Sequence, residues 1–269
     1  MFPGKGQSVG LTDWKSAPFL TLYSQQGLVE RRKSILGLVA STGPEDTESI
    51  FVGLIDKDDN RPTFVQQIGK RYSNLCIHFN ENILELSKSS RIPSDDPDSL
   101  KLIDLTPFGP NLHHYAVSCS ELVLYFNYSS PSSILCKDKS KLSNKLVIPQ
   151  IKLDRKLIVV LDTGLTGCIF SDSLTNELIS KFPCFDWKGE DGLSPSVGAM
   201  SVQLPCVDGK DIILSSRKEY FYLDSFRLPW FDDEDNHPHI IAVGTTFWAN
   251  TKNLSIDLKS HRAKISFPR

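Results

Sequence analysis

No apolar run in the sequence reaches membrane-spanning length, which excludes a helical anchor within it. Basic residues do not cluster, and 30 Lys and Arg stand against 32 Asp and Glu, so no nucleic-acid partner is expected. The opening Met-Phe-Pro-Gly-Lys-Gly-Gln-Ser lacks the apolar core of a secretory signal, which taken alone predicts a cytoplasmic protein. A Gly-x-Ser-x-Gly elbow and a phosphate-binding glycine loop are both missing, so two common catalytic frameworks are excluded. Cys76-Ile77-His78, His113-His114 and His237-Pro238-His239 never combine into zinc spacing and read as strand and loop residues. Asp232-Asp233-Glu234-Asp235 lacks the alternating ligands and bidentate glutamate of a calcium loop and reads as a solvated acidic turn. Neither a metal nor a cofactor is expected, and no internal repeat is visible.

What is there suits a folded chain. With 269 residues and 40% apolar side chains, one large domain or two small ones can bury a core. Most segments read as strands. Pro18 to Gln26 has helical apolar spacing at Phe19, Leu22 and Tyr23, with Ser16 as a cap and Gly27 as the stop. Ser34 to Ala40 and Ser49 to Ile55 are predicted strands around a Gly-Pro-Glu-Asp loop, followed by an Asp56 to Asn60 turn, and Phe64 to Leu86 holds two more. Ser87 to Asp98, rich in Ser, Asp and Pro, reads as an exposed insertion. Ser118 to Phe126 is another strand, Asn127 to Asn144 a polar loop, Gly198 to Leu223 a region of strands, and Pro229 to Pro238 an acidic loop. Ser171 or Asp172 is positioned to cap a helix that turns Leu174, Leu178 and Ile179 inward and stops at Pro183. Six cysteines leave the redox compartment open; Cys119 with Cys136 and Cys168 with Cys184 are near enough in sequence to close small loops in an oxidising compartment. Asn127-Tyr128-Ser129 fits a glycosylation sequon.

The chain is organised around Leu157 to Phe170. Five aliphatic residues, Leu157 to Leu161, suit a strand buried on both faces, and they deliver Asp162 to a Thr163-Gly164 turn. A carboxylate directly after such a strand is partly desolvated, which costs stability or serves chemistry. Asp-Thr-Gly alone arises by accident in about one chain in twenty of this length, so its meaning depends on its surroundings. Far downstream, Ile240-Ile241-Ala242-Val243-Gly244 is a second apolar strand that stops at a glycine. Leu254 to Asp257 and Ala263 to Phe267 then form a hairpin pattern.

This order resembles the C-terminal lobe of the pepsin-like aspartic endopeptidases, with Asp162 at the second catalytic aspartate and Gly244 at the downstream glycine. Further upstream, Val9-Gly10-Leu11, Phe19 to Leu28, Ser49 to Asp56 and His114-Tyr115-Ala116-Val117 are similar to segments that run from the end of the first lobe into the second. The resemblance implies an all-β lobe, a double-psi-type barrel or sandwich with a few short helices. Residues 1-28 would end the N-terminal lobe and cross between lobes, and residues 29-269 would form the C-terminal lobe. It also implies aspartic endopeptidase activity, Asp162 as the catalytic residue, and Thr163, Gly164, Leu165 and Thr166 as substrate-binding residues. The partner would be a peptide or protein substrate, and the compartment secreted, vacuolar or lysosomal. On this alignment a signal peptide, propeptide and first Asp-Thr-Gly would lie upstream of Met1.

Two departures bear on activity. Water-mediated peptide hydrolysis by this chemistry needs two carboxylates sharing one proton, and no second Asp-Thr-Gly or Asp-Ser-Gly occurs. The family's usual Ser or Thr after Asp-Thr-Gly is Leu165, which has no hydroxyl to offer the carboxylate. Either the chain is the C-terminal half of an endopeptidase, or it is a pepsin-fold protein without catalysis that binds a peptide or partner. Without its companion lobe, the surface near Leu165, Ile169 and Ala242-Val243 is expected to face water and to drive self-association or be covered by an upstream segment.

Overall fold

A computed structural model describes residues 15–24, 27–39, 49–51, 65–66, 72–81, 83–109, 112–126, 145–165, 167–183, 197–218, 223–226 and 237–268; in the first three ranges and at 224–226 only the backbone is described. The chain forms two compact units, Met1–Tyr72 and Ser73–Arg269.

In the first unit β1 (Lys15–Ser24) and β2 (Gly27–Val39) form a long antiparallel ribbon, and β2 also pairs with β3 (Ser49–Phe51). Of the two strands predicted around the Gly-Pro-Glu-Asp loop, the parts at 34–39 and 49–51 are strand, and the rest lies outside the described residues. Pro18 to Ser24 of the helix predicted over Pro18 to Gln26 lie in β1 instead. Three apolar positions at near-helical spacing fit either element, and pairing with β2, with Ser24 opposite Gly27, satisfies the backbone by cross-strand hydrogen bonds. The Asp56 to Asn60 turn lies outside the described residues.

The described residues of the second unit are mostly β, with two short α-helices and two 3-10 turns, Thr106–Phe108 and Gln150–Lys152. Its strands are β4 (Asn74–His78), β5 (Ile83–Ser87), β6 (Leu100–Ile103), β7 (Ala116–Ser118), β8 (Glu121–Phe126), β9 (Lys145–Pro149), β10 (Leu157–Leu161), β11 (Cys168–Ser171), β12 (Val197–Leu204), β13 (Ile212–Ser215), β14 (Leu223–Phe226), β15 (His239–Val243), β16 (Asn253–Asp257) and β17 (Arg262–Ser266). The helices are α1 (Asp172–Lys181) and α2 (Thr245–Trp248). Ten strands form one open sheet in the order β14-β11-β15-β10-β7-β6-β17-β16-β4-β5, and β13-β12-β8-β9 form a second. No closed barrel exists among the described residues.

Two corrections concern burial. Ile92 and Asp96 are buried within the segment expected to be an exposed insertion, because Asp96 pairs with Lys264 on β17. In α1, capped by Ser171 Oγ, Leu174 and Leu178 are fully buried, but Ile179 is 40% exposed. One residue past Leu178 turns the helix by about 100°, away from the sheet. The loops at Asn127 to Asn144 and, for the most part, Pro229 to Pro238 lie outside the described residues.

The core of the large sheet follows from its two most apolar strands. Every residue of β10 and of β15 is buried, which is the sequence signature of strands with neighbours on both edges and cover on both faces. They run parallel, with Leu157 opposite His239 and Leu161 opposite Val243. On its other edge β15 pairs antiparallel with β11. Thus β10 and β11, which are antiparallel and joined by residues 162 to 167, have β15 threaded between them.

Such threading forces the connecting loop across the end of β15. Asp162 N donates to Val243 O at 3.1 Å, Gly244 N to Gly167 O at 2.9 Å, and Thr245 N to Leu165 O at 2.7 Å. The loop lies so close that a Cβ at Gly244 would sit 2.3 Å from Leu165 O and 2.5 Å from Gly167 O. Gly244 has φ −103°, so the requirement is for space and not for an unusual backbone angle. After Gly244 come α2 and the β16–β17 hairpin, the order the resemblance implied. Gly244→Ala is expected to destabilise the Ser73–Arg269 unit by about 1–3 kcal/mol or more, since the obstacle is backbone. Urea denaturation of the two proteins measures this, and equal midpoints at equal slopes would contradict the crossing.

Candidate functional site at Asp162

Asp162 leaves the buried β10 half-exposed at the start of the crossing loop. Its Oδ1 accepts the backbone N–H of Gly164 at 2.7 Å and that of Leu165 at 3.1 Å, which fixes the carboxylate relative to its own turn. Its peptide oxygen accepts Trp248 Nε1–H at 2.9 Å. Trp248 is 1% exposed, and its indole stacks on Phe79 with ring centroids 5.4 Å apart and planes within 6°. A rigid aromatic from α2 therefore holds the aspartate's backbone while the loop amides hold its side chain.

The other residues expected to bind substrate are distributed unevenly. Thr163 is half-buried and Gly164 exposed. Leu165 is 6% exposed, so its side chain faces the interior and its backbone does the polar work: its N–H reaches Asp162, and its carbonyl receives Thr245. Thr166 lies outside the described residues. The expectation that Leu165, Ile169 and Ala242-Val243 face water is corrected: they are 6%, 5%, 9% and 0% exposed. The crossing loop and the pairing of β15 with β10 and β11 bury these residues within the large sheet. Cys76, Cys119, Cys168 and Cys206 are free thiols among the described residues; Cys136 and Cys184, the partners in the two small loops, lie outside them. Burial pushes the Cys119 thiol up to about 12 and Cys168 well above its ordinary value, which makes both inert packing groups. Among the described residues no group of three or more His, Cys, Asp or Glu side chains is arranged to hold a metal, and no helix is long and apolar enough to cross a membrane.

Sequence reading missed a second polar cluster at the other end of β15. His239, 1% exposed, has Nδ1 3.0 Å from Ser173 Oγ, and its Nε2 bonds Glu177 Oε2. Glu177 Oε1 receives the Asp154 amide at 2.8 Å and the Lys181 ammonium at 2.8 Å. The Glu177-to-Lys181 spacing of four is visible in the sequence, but nothing there joins it to a histidine 62 residues away.

No protein-family model and no curated protein matches the chain. Twenty-three solved chains match in structure. One is the crystal structure of basic 7S globulin from soybean, with a TM-score of 0.44 and 12% identity, covering 92% of this chain and 66% of that one. The chain thus spans just under two thirds of that protein's length.

Desolvation lowers the His239 pKa from its ordinary 6.5, despite the opposing pull of Glu177. Burial would raise Glu177, but hydrogen bonds from Lys181, the Asp154 amide and His239 outweigh it and lower the group from 4.5. Both are depressed on folding, so their stabilisation is complete above the unfolded values and is lost as pH falls through the folded ones. The melting temperature is expected to decline as pH is lowered from about 6.5 towards 4, near the free-histidine and free-glutamate values. Thermal melts across this range test it, and a melting temperature that rises on acidification would contradict it.

Proposed function

We propose that the chain supplies one catalytic carboxylate of an aspartic-type endopeptidase, as the C-terminal half of the two-lobed site. The observation that supports this reading best is Asp162 itself: a half-buried carboxylate, oriented by two amides of its own turn, on a loop clamped over Gly244. In this chemistry one carboxylate takes a proton from water while its neighbour gives one to the scissile amide, and the titration belongs to the pair. The described polar contacts of Asp162 are two loop amides, the Trp248 indole and the Val243 carbonyl, with no carboxylate among them. The second carboxylate is then contributed by a companion lobe or by a second copy of the chain. On this reading residues 1-28 end the first lobe and residues 29-269 form the second. Thr163, Gly164 and Thr166 line the substrate path, buried Leu165 supports their loop from within, and the compartment is secreted, vacuolar or lysosomal.

A second reading, a pepsin-fold protein that binds a peptide or protein without cleaving it, is favoured by Leu165. Its buried aliphatic side chain stands where the family offers Asp162 a hydroxyl.

Peptide hydrolysis at acid pH by the purified chain separates the two. Losing one positioned acid-base group costs about 10²–10⁴-fold, so the monomer is expected to cleave poorly. Any pepstatin-sensitive activity should sediment with a dimer or two-lobed species and vanish in Asp162→Asn. Robust cleavage by a monomer, or cleavage surviving Asp162→Asn, would overturn the assignment. Tight peptide binding with no cleavage in any assembly would favour the second reading.

A further inference from the structure

The cluster at the start of β15 contains the parts of an activated serine. Ser171 Oγ caps α1 by accepting Leu174 N–H at 3.4 Å, accepts Ile240 N–H at 3.1 Å, and lies 3.1 Å from Ser173 Oγ. With two donors already directed at it, Ser171 turns its own hydrogen towards Ser173 Oγ. Ser173 then directs its hydrogen to His239 Nδ1 at 3.0 Å, which leaves the ring proton on Nε2, donated to Glu177. Lys181 and the Asp154 amide fix the other oxygen of Glu177. The directions form one chain: hydroxyl to hydroxyl, hydroxyl to imidazole, imidazole to carboxylate.

We propose that Ser173, His239 and Glu177 form a nucleophile, base and orienting carboxylate able to accept an acyl group from a small ester. The test of such a constellation is mutual geometry, a nucleophile within hydrogen-bond reach of a base that a third group orients, and these three residues meet it. The ring nitrogens exchange their usual parts, with Nδ1 facing the serine, but either nitrogen is a base when the other carries the hydrogen. Burial supplies the dry surroundings, since His239 is 1% exposed and the Glu177 side chain 10%, while Ser173 is only half-buried. Desolvation keeps the imidazole neutral and ready to accept a proton; among the described residues Arg155 and Asp154 also act on it, in opposite directions. His239 opens β15 and Gly244 follows its end, which separates this cluster from the Asp162 loop by about 16 Å of strand.

In the reaction Ser173 Oγ bonds to the ester carbonyl carbon as its proton passes to Nδ1, and Glu177 stabilises the imidazolium. The bond from that carbon to the alcohol oxygen breaks, and this oxygen leaves with the proton from Nδ1. Water then adds to the acyl-serine by the same route, releasing the acid and restoring the Ser173 hydroxyl.

The full chain is treated with two small reagents, phenylmethanesulfonyl fluoride and p-nitrophenyl acetate, and adducts are mapped by peptide mass. A single adduct on Ser173 is expected, absent from Ser173→Ala, with a rate that rises sigmoidally with pH as the imidazole loses its proton. Glu177→Gln should slow labelling by about 10²-fold. Ser173→Cys, which keeps the side-chain size, should be alkylated by iodoacetamide at pH 6, where an unassisted thiol is protonated. Failure of both reagents to modify Ser173, or equal rates in Glu177→Gln, would overturn the proposal and leave the cluster as a latch between α1 and β15.

Discussion

A strand threaded between two others leaves the chain that joins those two with one route, over the threaded strand's end, and that route tolerates no side chain beneath it. Here β15 is the threaded strand, residues 162 to 167 are the crossing, and Gly244 is the space under it. The rest of the site hangs on this constraint. Three backbone hydrogen bonds between loop and strand end set the height of the loop, and that height sets where Asp162 emerges. Trp248 can reach the Asp162 carbonyl because α2 begins directly after Gly244. Leu165 turns inward because its backbone is committed on both sides, to Asp162 and to Thr245.

Much of this was legible in the sequence, for local reasons. Five consecutive aliphatics at Leu157 to Leu161 predicted a strand buried on both faces, the run ending at Val243-Gly244 predicted an apolar strand, and every residue of both strands is buried. Ser171 or Asp172 announced the start of a helix because a cap acts within three residues, and Ser171 is the cap. The errors lie where the deciding contact is remote or the local signal is shared. Phe19, Leu22 and Tyr23 allow helix or strand, and cross-strand pairing with β2 decides. Asp96 looked like one more polar loop residue because Lys264 lies 168 positions away. The Ser173–His239–Glu177 chain was invisible for the same reason, since α1 and β15 meet only in three dimensions.

The two ends of β15 have opposite chemical characters. At the Gly244 end, amide donors hold a half-exposed carboxylate, suited to an acid site that needs a second carboxylate. At the His239 end, a buried neutral imidazole lies between a hydroxyl and an ionised glutamate and weakens the fold as it takes up protons. On the proposed endopeptidase reading, acid conditions that favour the first act against the second. A single strand, buried along its whole length, couples both to the same core.

The threaded crossing is tested most directly by hydrogen exchange at the Gly244 and Thr245 amides. If the loop lies over the strand end as described, both amides, bonded to Gly167 O and Leu165 O, exchange in the slowest class together with the β10 amides. Rapid exchange at Gly244 and Thr245 while β10 remains protected would show that the loop does not cross there, and the account of the site would fail with it.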